Sequence, residues 1–461
     1  MLLKVSKLFL YASLFSIVVV LTTTFFPFIG GKYFFFRVAI ELAIMFFLLW
    51  WAFEDKHGEA LHMVRGAVKK PLFIAVSIFA LTYLLSALFA YDPHAAFWSN
   101  YERGEGAFQM LHYYAFFVLL TFLMKTDADW RRVFKYAIMV GVLMVLYGVG
   151  SMMHWEGFVG PYGNETGSLL SRILSHARFQ GSLGNPAYVA PYLMFSIFYA
   201  LWLWFTGPKP KKLFPIIFYG GLILFFLFFL FLSETRGTII GLGVAFVVFV
   251  GYLIWAYPKA RKWAFAAIAL VAIVFGTLYH YKDTAFVQRI PGSRVLDTSF
   301  STQSFQTRFW TWGSALKGLK DRPLLGWGPE NFSAVFDKHF DSRHFKPGVG
   351  SETWFDRAHS ILFDALAETG IVGTLAYISI FALLYIEFFR RYLRRKGEYA
   401  HSGSIWETMQ KGLLIAIPIG YVVQGLALFD TIPTYINVFF FLAFATYILY
   451  RPHHELSTNN K

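Results

Sequence analysis

The chain has 461 residues, 57% of them hydrophobic and 20% aromatic, and its mean hydropathy is +0.51. That much apolar side chain cannot be hidden inside a water-soluble domain of this length, so the bilayer is the main solvent. The formal charge of +14 calls for no nucleic-acid partner, since loop charge that sets topology and attraction to anionic lipid account for it, and the absence of Cys excludes disulfides and thiolate metal sites.

Twelve segments are apolar enough to cross a membrane at about 20 residues each. They cover roughly 8–29, 33–53, 71–91, 107–124, 133–153, 186–206, 213–232, 238–256, 262–280, 371–389, 412–429 and 435–450. The first is not followed by an Ala-x-Ala-like cleavage site, which predicts a retained span. Arg37 and Glu41 stand four residues apart on one helix face, where they can pair. The span cores hold almost no ionisable groups, which argues against an ion-coupled transporter. Gly141, Gly148, Gly220, Gly221, Gly241 and Gly243 are read as sites of close helix packing.

With the N-terminus inside, the inner segments carry 24 of the 41 Lys and Arg residues and the short outer loops carry six. This bias places both ends in the cytoplasm and the long polar segment outside. The expected organisation is one integrated membrane domain: 1–281 with spans one to nine, an extracytoplasmic loop 282–358, and 359–461 with spans ten to twelve.

The outer loops hold the residues with chemical potential. Arg178 opens a turn that runs through Gly181, Gly184 and Asn185 to Pro186 at the mouth of a helix. Ser233 to Gly237 leaves almost no loop, so Arg236 is pinned at the hydrocarbon boundary, where an interfacial anchor is the plain reading of an isolated arginine. Phe305, Phe309, Trp312, Leu316 and Leu319 have the spacing of a helix with one apolar face, with Arg308 beside the stripe. That helix stops at Asp321-Arg322-Pro323, before a Gly-rich turn from Leu325 to Asn331. Aromatic packing at the membrane rim accounts for Trp310, Trp312 and Trp327.

Asp356 has the character of an N-cap, which would put Arg357 and His359 in the first turn of a helix running to Glu368 and broken near Gly370 and Gly373. An imidazole beside a positive helix end is expected to be neutral near pH 7.

Nearly the whole chain resembles the O-antigen ligase and polymerase superfamily of bacterial inner-membrane glycosyltransferases. Arg178 to Pro186 is similar to the family's Arg-x-x-Gly-x-x-Gly-Asn-Pro, and Ser233 to Gly237 to its Ser-Arg-Gly element. Arg308 to Asn331 is similar to its Arg-x-x-x-Trp and Pro-Leu-x-Gly-x-Gly run, and His359 to Gly373 to its His-Asn-x-x-Leu and Glu-x-Gly-x-x-Gly run. Ser360 stands where Asn is usual, and Thr235 separates Ser233-Glu234 from Arg236.

The resemblance implies an all-α, GT-C-like integral membrane protein with short amphipathic helices in its external loop. It implies a multi-pass enzyme of the bacterial inner membrane with its active site extracytoplasmic. The donor is a glycan on undecaprenyl diphosphate, used without a cofactor, nucleotide sugar or metal. Arg236, Arg308 and Arg178 are the candidate diphosphate ligands, since guanidinium forks match phosphate oxygens and stay charged. His359 is the candidate base, supported by Asp356, Arg357 and Glu368, and direct attack inverts the anomeric carbon.

Three acceptors compete: a lipid A core sugar in lipopolysaccharide biosynthesis (a ligase, preferred for the single large late loop), a growing glycan (a polymerase) and a Ser or Thr hydroxyl (a protein O-oligosaccharyltransferase). The alternative from another class is a lipid-linked oligosaccharide flippase, which should line its central cavity with polar groups.

Overall fold

A computed structural model describes residues 1–100, 102–160, 167–174, 178–207, 213–290, 292–296, 303–345, 353–392 and 404–451. Among these the regular structure is helical throughout. In chain order the α-helices are α1 (Leu2–Ser13), α2 (Gly30–Phe53), α3 (Glu59–Ala67), α4 (Pro71–Leu88), α5 (Pro93–Trp98) and α6 (Ala107–Leu123). They continue with α7 (Asp127–Met152), α8 (Leu169–Leu174), α9 (Pro186–Thr206), α10 (Leu213–Leu232), α11 (Arg236–Ala256) and α12 (Arg261–His280). The last six are α13 (Ala285–Gln288), α14 (Gln303–Asp321), α15 (Phe332–Lys338), α16 (Ile361–Tyr392), α17 (Ile405–Gly425) and α18 (Ile432–Tyr450).

Among the described residues nine helical segments are long and apolar enough to cross a membrane: α2, α4, α7, α9, α10, α11, Pro258–His280, α16 and α18. The chain is an all-α integral membrane protein. Of the other three expected spans, α6 is shorter and α17 is more polar, carrying Glu407 and Lys411.

The first expected span, 8–29, is not one helix. After α1 the chain tightens into 3-10 turns over Leu14–Val18 and becomes extended at Val19. Three threonines and Pro27 follow, and the Thr24 hydroxyl turns back onto the Leu21 carbonyl, a local bond that competes with helix. The carbonyls left at the helix end are taken by side chains instead: Lys32 donates to the Val19 oxygen (2.6 Å) and Ser182 to the Ile17 oxygen (2.7 Å).

Successive long helices alternate in direction, so the bundle has two distinct ends. One end gathers Met1 with Glu54, Lys7 with Asp129, and Arg451 with Asp127. The other gathers the starts of α2, α6, α9, α11, α16 and α18, together with α14 and α15. α9 and α18 are largely enclosed by neighbouring helices, whereas α10 and α12 expose most of their apolar surface, as lipid-facing helices do.

Two packing expectations are corrected. Arg37 does not pair with Glu41; it donates to Gln109 and to the Gly104 carbonyl (both 2.7 Å), while Glu41 faces His112 at 3.1 Å. Helix contact on another element satisfied each charge before the intrahelical neighbour could. Close packing holds for Gly241, where an added Cβ would lie 2.5 Å from the Gly420 carbonyl oxygen, and for Gly141 and Gly148. At Gly220, Gly221 and Gly243 an added Cβ would meet nothing within 4 Å.

Candidate functional site

The site is built on a break in a long helix. α16 is helical on both sides of Gly370, whose φ of 63° and ψ of −164° interrupt it, as the sequence suggested. The segment 323–328 satisfies the backbone groups this break frees. Ile371 and Val372 donate to the Pro323 and Leu324 carbonyls, and Trp327 and Gly328 donate to those of Ala367 and Glu368. The two chains approach so closely that a Cβ on Gly370 would stand 2.4 Å from the Leu324 oxygen. The Gly-rich turn thus docks the external segment onto the membrane helix.

Around that junction Ala315, Trp327, Phe332, Val335, Phe336, Phe355, Ala358 and Ala367 form a small apolar core of their own. Helix α14 spans the predicted stripe and ends at Asp321, before Pro323, but it buries Thr307, Thr311, Ser314 and Ala315 and leaves Phe309 and Leu316 of the stripe exposed. The tryptophans face inward and do not serve as a rim belt. Trp312 donates to the Ala358 carbonyl (3.0 Å) and stacks on Phe363 at 4.8 Å, and Trp327 donates to the Gly318 carbonyl (2.9 Å). Trp310 meets His344 edge-on. Trp312 therefore holds the segment that carries His359.

Asp356 is not an N-cap. α16 starts at Ile361, and His359 sits outside it with a positive φ of 54°. The Asp356 carboxylate is 2.6 Å from the guanidinium of Arg103, an ion pair formed across the fold. Inside the first turns of α16 the Asp364 carboxylate reaches back to accept from the Ala358 N–H at 2.6 Å, which ties the preceding loop to the helix. Arg357, expected in a first helical turn, is instead 3% exposed and ringed by Glu330 at 2.8 Å, Glu368 at 3.4 Å and Asp364 at 3.7 Å.

His359 lies between the rings of Phe355 (5.4 Å) and Phe429 (5.0 Å), each edge-on. Its Nδ1 is 3.1 Å from the Arg357 carbonyl oxygen. A carbonyl only accepts, so Nδ1 carries the proton and Nε2 is left with its lone pair. Burial lowers the imidazole pKa to about 4, against a hydrogen bond to Arg357 that raises it, with the charges of Arg308 and Arg103 pushing it further down. The ring is neutral near pH 7, as expected, but through desolvation and neighbouring arginines and not through a helix end.

Phe429, in the connection between α17 and α18, is the centre of the cluster. Arg103 stacks over its ring at 4.9 Å, Arg357 at 5.5 Å, and Tyr188 meets it edge-on at 6.3 Å. The other two expected arginines meet at the turn before α11. Arg178 donates to the Ser233 carbonyl (3.0 Å) and reaches the Thr235 hydroxyl (3.4 Å), which in turn donates to the Pro186 carbonyl (3.0 Å). Arg178 thereby clamps the tight turn that ends at Arg236, the first residue of α11. A Cβ on the next residue, Gly237, would lie 3.8 Å from Ala427 and Leu428, while Leu428 accepts from the Ile361 N–H at the head of α16. The residue after Arg236 thus packs against 427–428, Arg103 stacks on Phe429 of the same connection, and Arg308 and Arg103 are close enough to His359 for their charges to depress it.

Arg103, Tyr188, Phe429 and the carboxylates Glu105, Glu330, Asp364 and Asp430 were not singled out from sequence. A narrow recess of about 20 Å³ lies beside Arg103, Glu105 and Tyr188, and another of about 30 Å³ beside Arg357, Asp364, Glu368 and Asp430. Burial holds the Glu105 carboxyl up at about 8 and that of Asp430 at about 7. Arg103 could have been suspected as a cation in a short outer loop; a single Phe in an apolar run carries no such signal.

Residues 221–378 match a family model described as O-antigen ligase. No curated protein matches the chain. The match spans Arg236, Arg308, Glu330, Arg357, His359 and Glu368, so most of the cluster falls within it. It supports the O-antigen ligase and polymerase superfamily, an O-antigen ligase-like function, and with nine apolar helices a multi-pass inner-membrane protein.

Proposed function

We propose that the protein transfers a glycan from undecaprenyl diphosphate to an acceptor hydroxyl at the extracytoplasmic rim of the bundle, without metal and with inversion. The observation that supports this reading is the neutral imidazole of His359 against Phe429, which Arg103 also covers, with the charges of Arg308 and Arg103 bearing on it.

The acceptor O–H attacks the anomeric carbon while the bond from that carbon to the diphosphate oxygen breaks. The proton passes to Nε2 of His359, and undecaprenyl diphosphate leaves with the bond's electron pair. Arg236 and Arg308 hold the diphosphate, where fixed donors to developing charge are worth about 3 kcal/mol or more each. Arg178 acts by holding the turn that presents Arg236. Arg357 acts by position: its carbonyl fixes the His359 tautomer, and its side chain is locked by Glu330, Glu368 and Asp364.

Donor binding also tunes the base. Burial depresses the imidazole most and the charges of Arg308 and Arg103 depress it further, so a diphosphate laid against those guanidiniums offsets their part and makes His359 more basic. The base is strengthened when there is a donor to attack. A lipid A core sugar is the preferred acceptor, with a growing glycan or a protein hydroxyl as the other outcomes of the assay.

The test is transfer from purified lipid-linked glycan to each acceptor in turn, weighing the product, for the wild type and for folded Arg236→Ala, Arg308→Ala and His359→Ala. Near-normal turnover in all three variants sinks the assignment. Movement of donor across vesicles without a covalent product would favour a flippase.

A further inference from the structure

The opposite end of the bundle holds a second polar cleft that the transfer chemistry does not use. It lies between α3, the start of α4 and the ends of α6 and α18, and has a volume of about 460 Å³. The 18 residues of α4 separate it from the His359 end by roughly 27 Å. The positive-inside bias of the sequence puts this end in the cytoplasm.

Its lining is cationic. Lys70, Lys125 and Arg451 face it, with His62 beside them and Glu59 as the single carboxylate among the described lining residues. Arg451 and Tyr447 share Asp127 (2.9 and 2.8 Å), which uses that carboxylate. No salt bridge joins Lys70 or Lys125 to any described residue. The Nε of Arg451 and the hydroxyl of Thr121, which also lines the cleft, are buried without a hydrogen-bond partner among the described residues.

The helix beside the cleft turns an apolar stripe away from it. On the face of α3 away from the cleft Leu61 and Val64, with Val68 just past the helix end, stand at i, i+3 and i+7 and are 45%, 40% and 52% exposed. Its buried face is only Ala60 and Ala67. A helix with its larger apolar stripe turned outward belongs in the plane of the membrane surface. Cations at headgroup depth beside acyl-chain surface are the chemistry of a site for an anionic phosphodiester.

We propose that this cleft, at the headgroup depth that α3 marks, binds the phosphate of an anionic phospholipid, with Lys70 and Lys125 as its ligands. The proposal is independent of the transferase reading, since the site shares no residue with it. The bound lipid ties α3 to the bundle.

The full-length protein in neutral detergent is titrated with short-chain phosphatidylglycerol, short-chain phosphatidylcholine and inorganic phosphate, following the thermal midpoint. Phosphatidylglycerol should stabilise it saturably, and Lys70→Gln/Lys125→Gln should need on the order of thirtyfold more lipid. The control Lys4→Gln/Lys259→Gln, with the same charge loss elsewhere, should titrate as wild type. Equal stabilisation by phosphatidylcholine, or by inorganic phosphate at the same concentration, overturns the lipid assignment, as does a cleft variant that titrates normally. If the cleft variant does not fold, hydrogen exchange on the wild type decides. Phosphatidylglycerol must protect amides in 59–72 and 121–125, and protection confined to other segments rejects the site.

Discussion

Arg357 and His359 are two residues apart in one loop, yet their surroundings are opposite. Arg357 is enclosed by three carboxylates and is 3% exposed, while His359 sits between two aromatic rings with cations beyond them. The contrast separates structural charge from chemical readiness. A guanidinium whose charge is already balanced by three buried carboxylates is held in place as a structural ion, even though its Nε has no hydrogen-bond partner among the described residues. An imidazole kept neutral by burial, and further by the cations near it, has a lone pair ready to take a proton.

Removing Arg357 should therefore give the largest effect, and it should be on stability. Arg357→Ala leaves Glu330, Asp364 and Glu368 buried without their counter-charge, at a cost of about 3–5 kcal/mol. Thermal unfolding in detergent should show a collapse of the midpoint. An Arg357→Ala protein that stays folded but inactive would reverse the comparison and make Arg357 a substrate ligand. His359→Ala should do the reverse, keeping the midpoint and losing roughly a hundredfold to ten-thousandfold in turnover. A drop in both would show that the imidazole is a packing element.

Arg308→Lys sharpens the comparison on the cation side. Charge is kept, but the planar fork is lost, so turnover should fall by about tenfold or more, measured with purified donor. Wild-type turnover would mean that Arg308 acts only as a diffuse positive field.

The sequence made the apolar spans legible, because a bilayer demands long uninterrupted runs, and it showed the break at Gly370 through the glycines themselves. It also marked Arg178, Arg236, Arg308 and His359, since polar residues stand out against apolar surroundings. What it hid was long-range pairing. Asp356 reads as an N-cap because the local preference is strong, and only the folded chain brings Arg103 to it from 253 positions away. Phe429 was hidden for the opposite reason: within an apolar stretch, a ring that organises a site looks like any ring in the core. Trp312 was misread as rim packing because sequence does not say which carbonyl its N–H will find.

The smallest effect is in the pH profile, and it tests the cause of His359's neutrality. The base must be unprotonated to act, so kcat/KM, which reports the free enzyme, should fall as pH drops through about 4 and show no limb near 6.5. The limb in kcat should lie at higher pH, because in the complex the donor's negative charge favours the imidazolium. Removing a depressing charge in Arg308→Ala should move the free-enzyme limb upward as well. Glu105, held at about 8 by burial, could add a limb of its own, and Glu105→Gln would remove that limb while leaving the acid one in place. Coincident limbs in kcat and kcat/KM would mean that donor binding does not reach the imidazole, and the arginines would then have to hold the diphosphate away from His359.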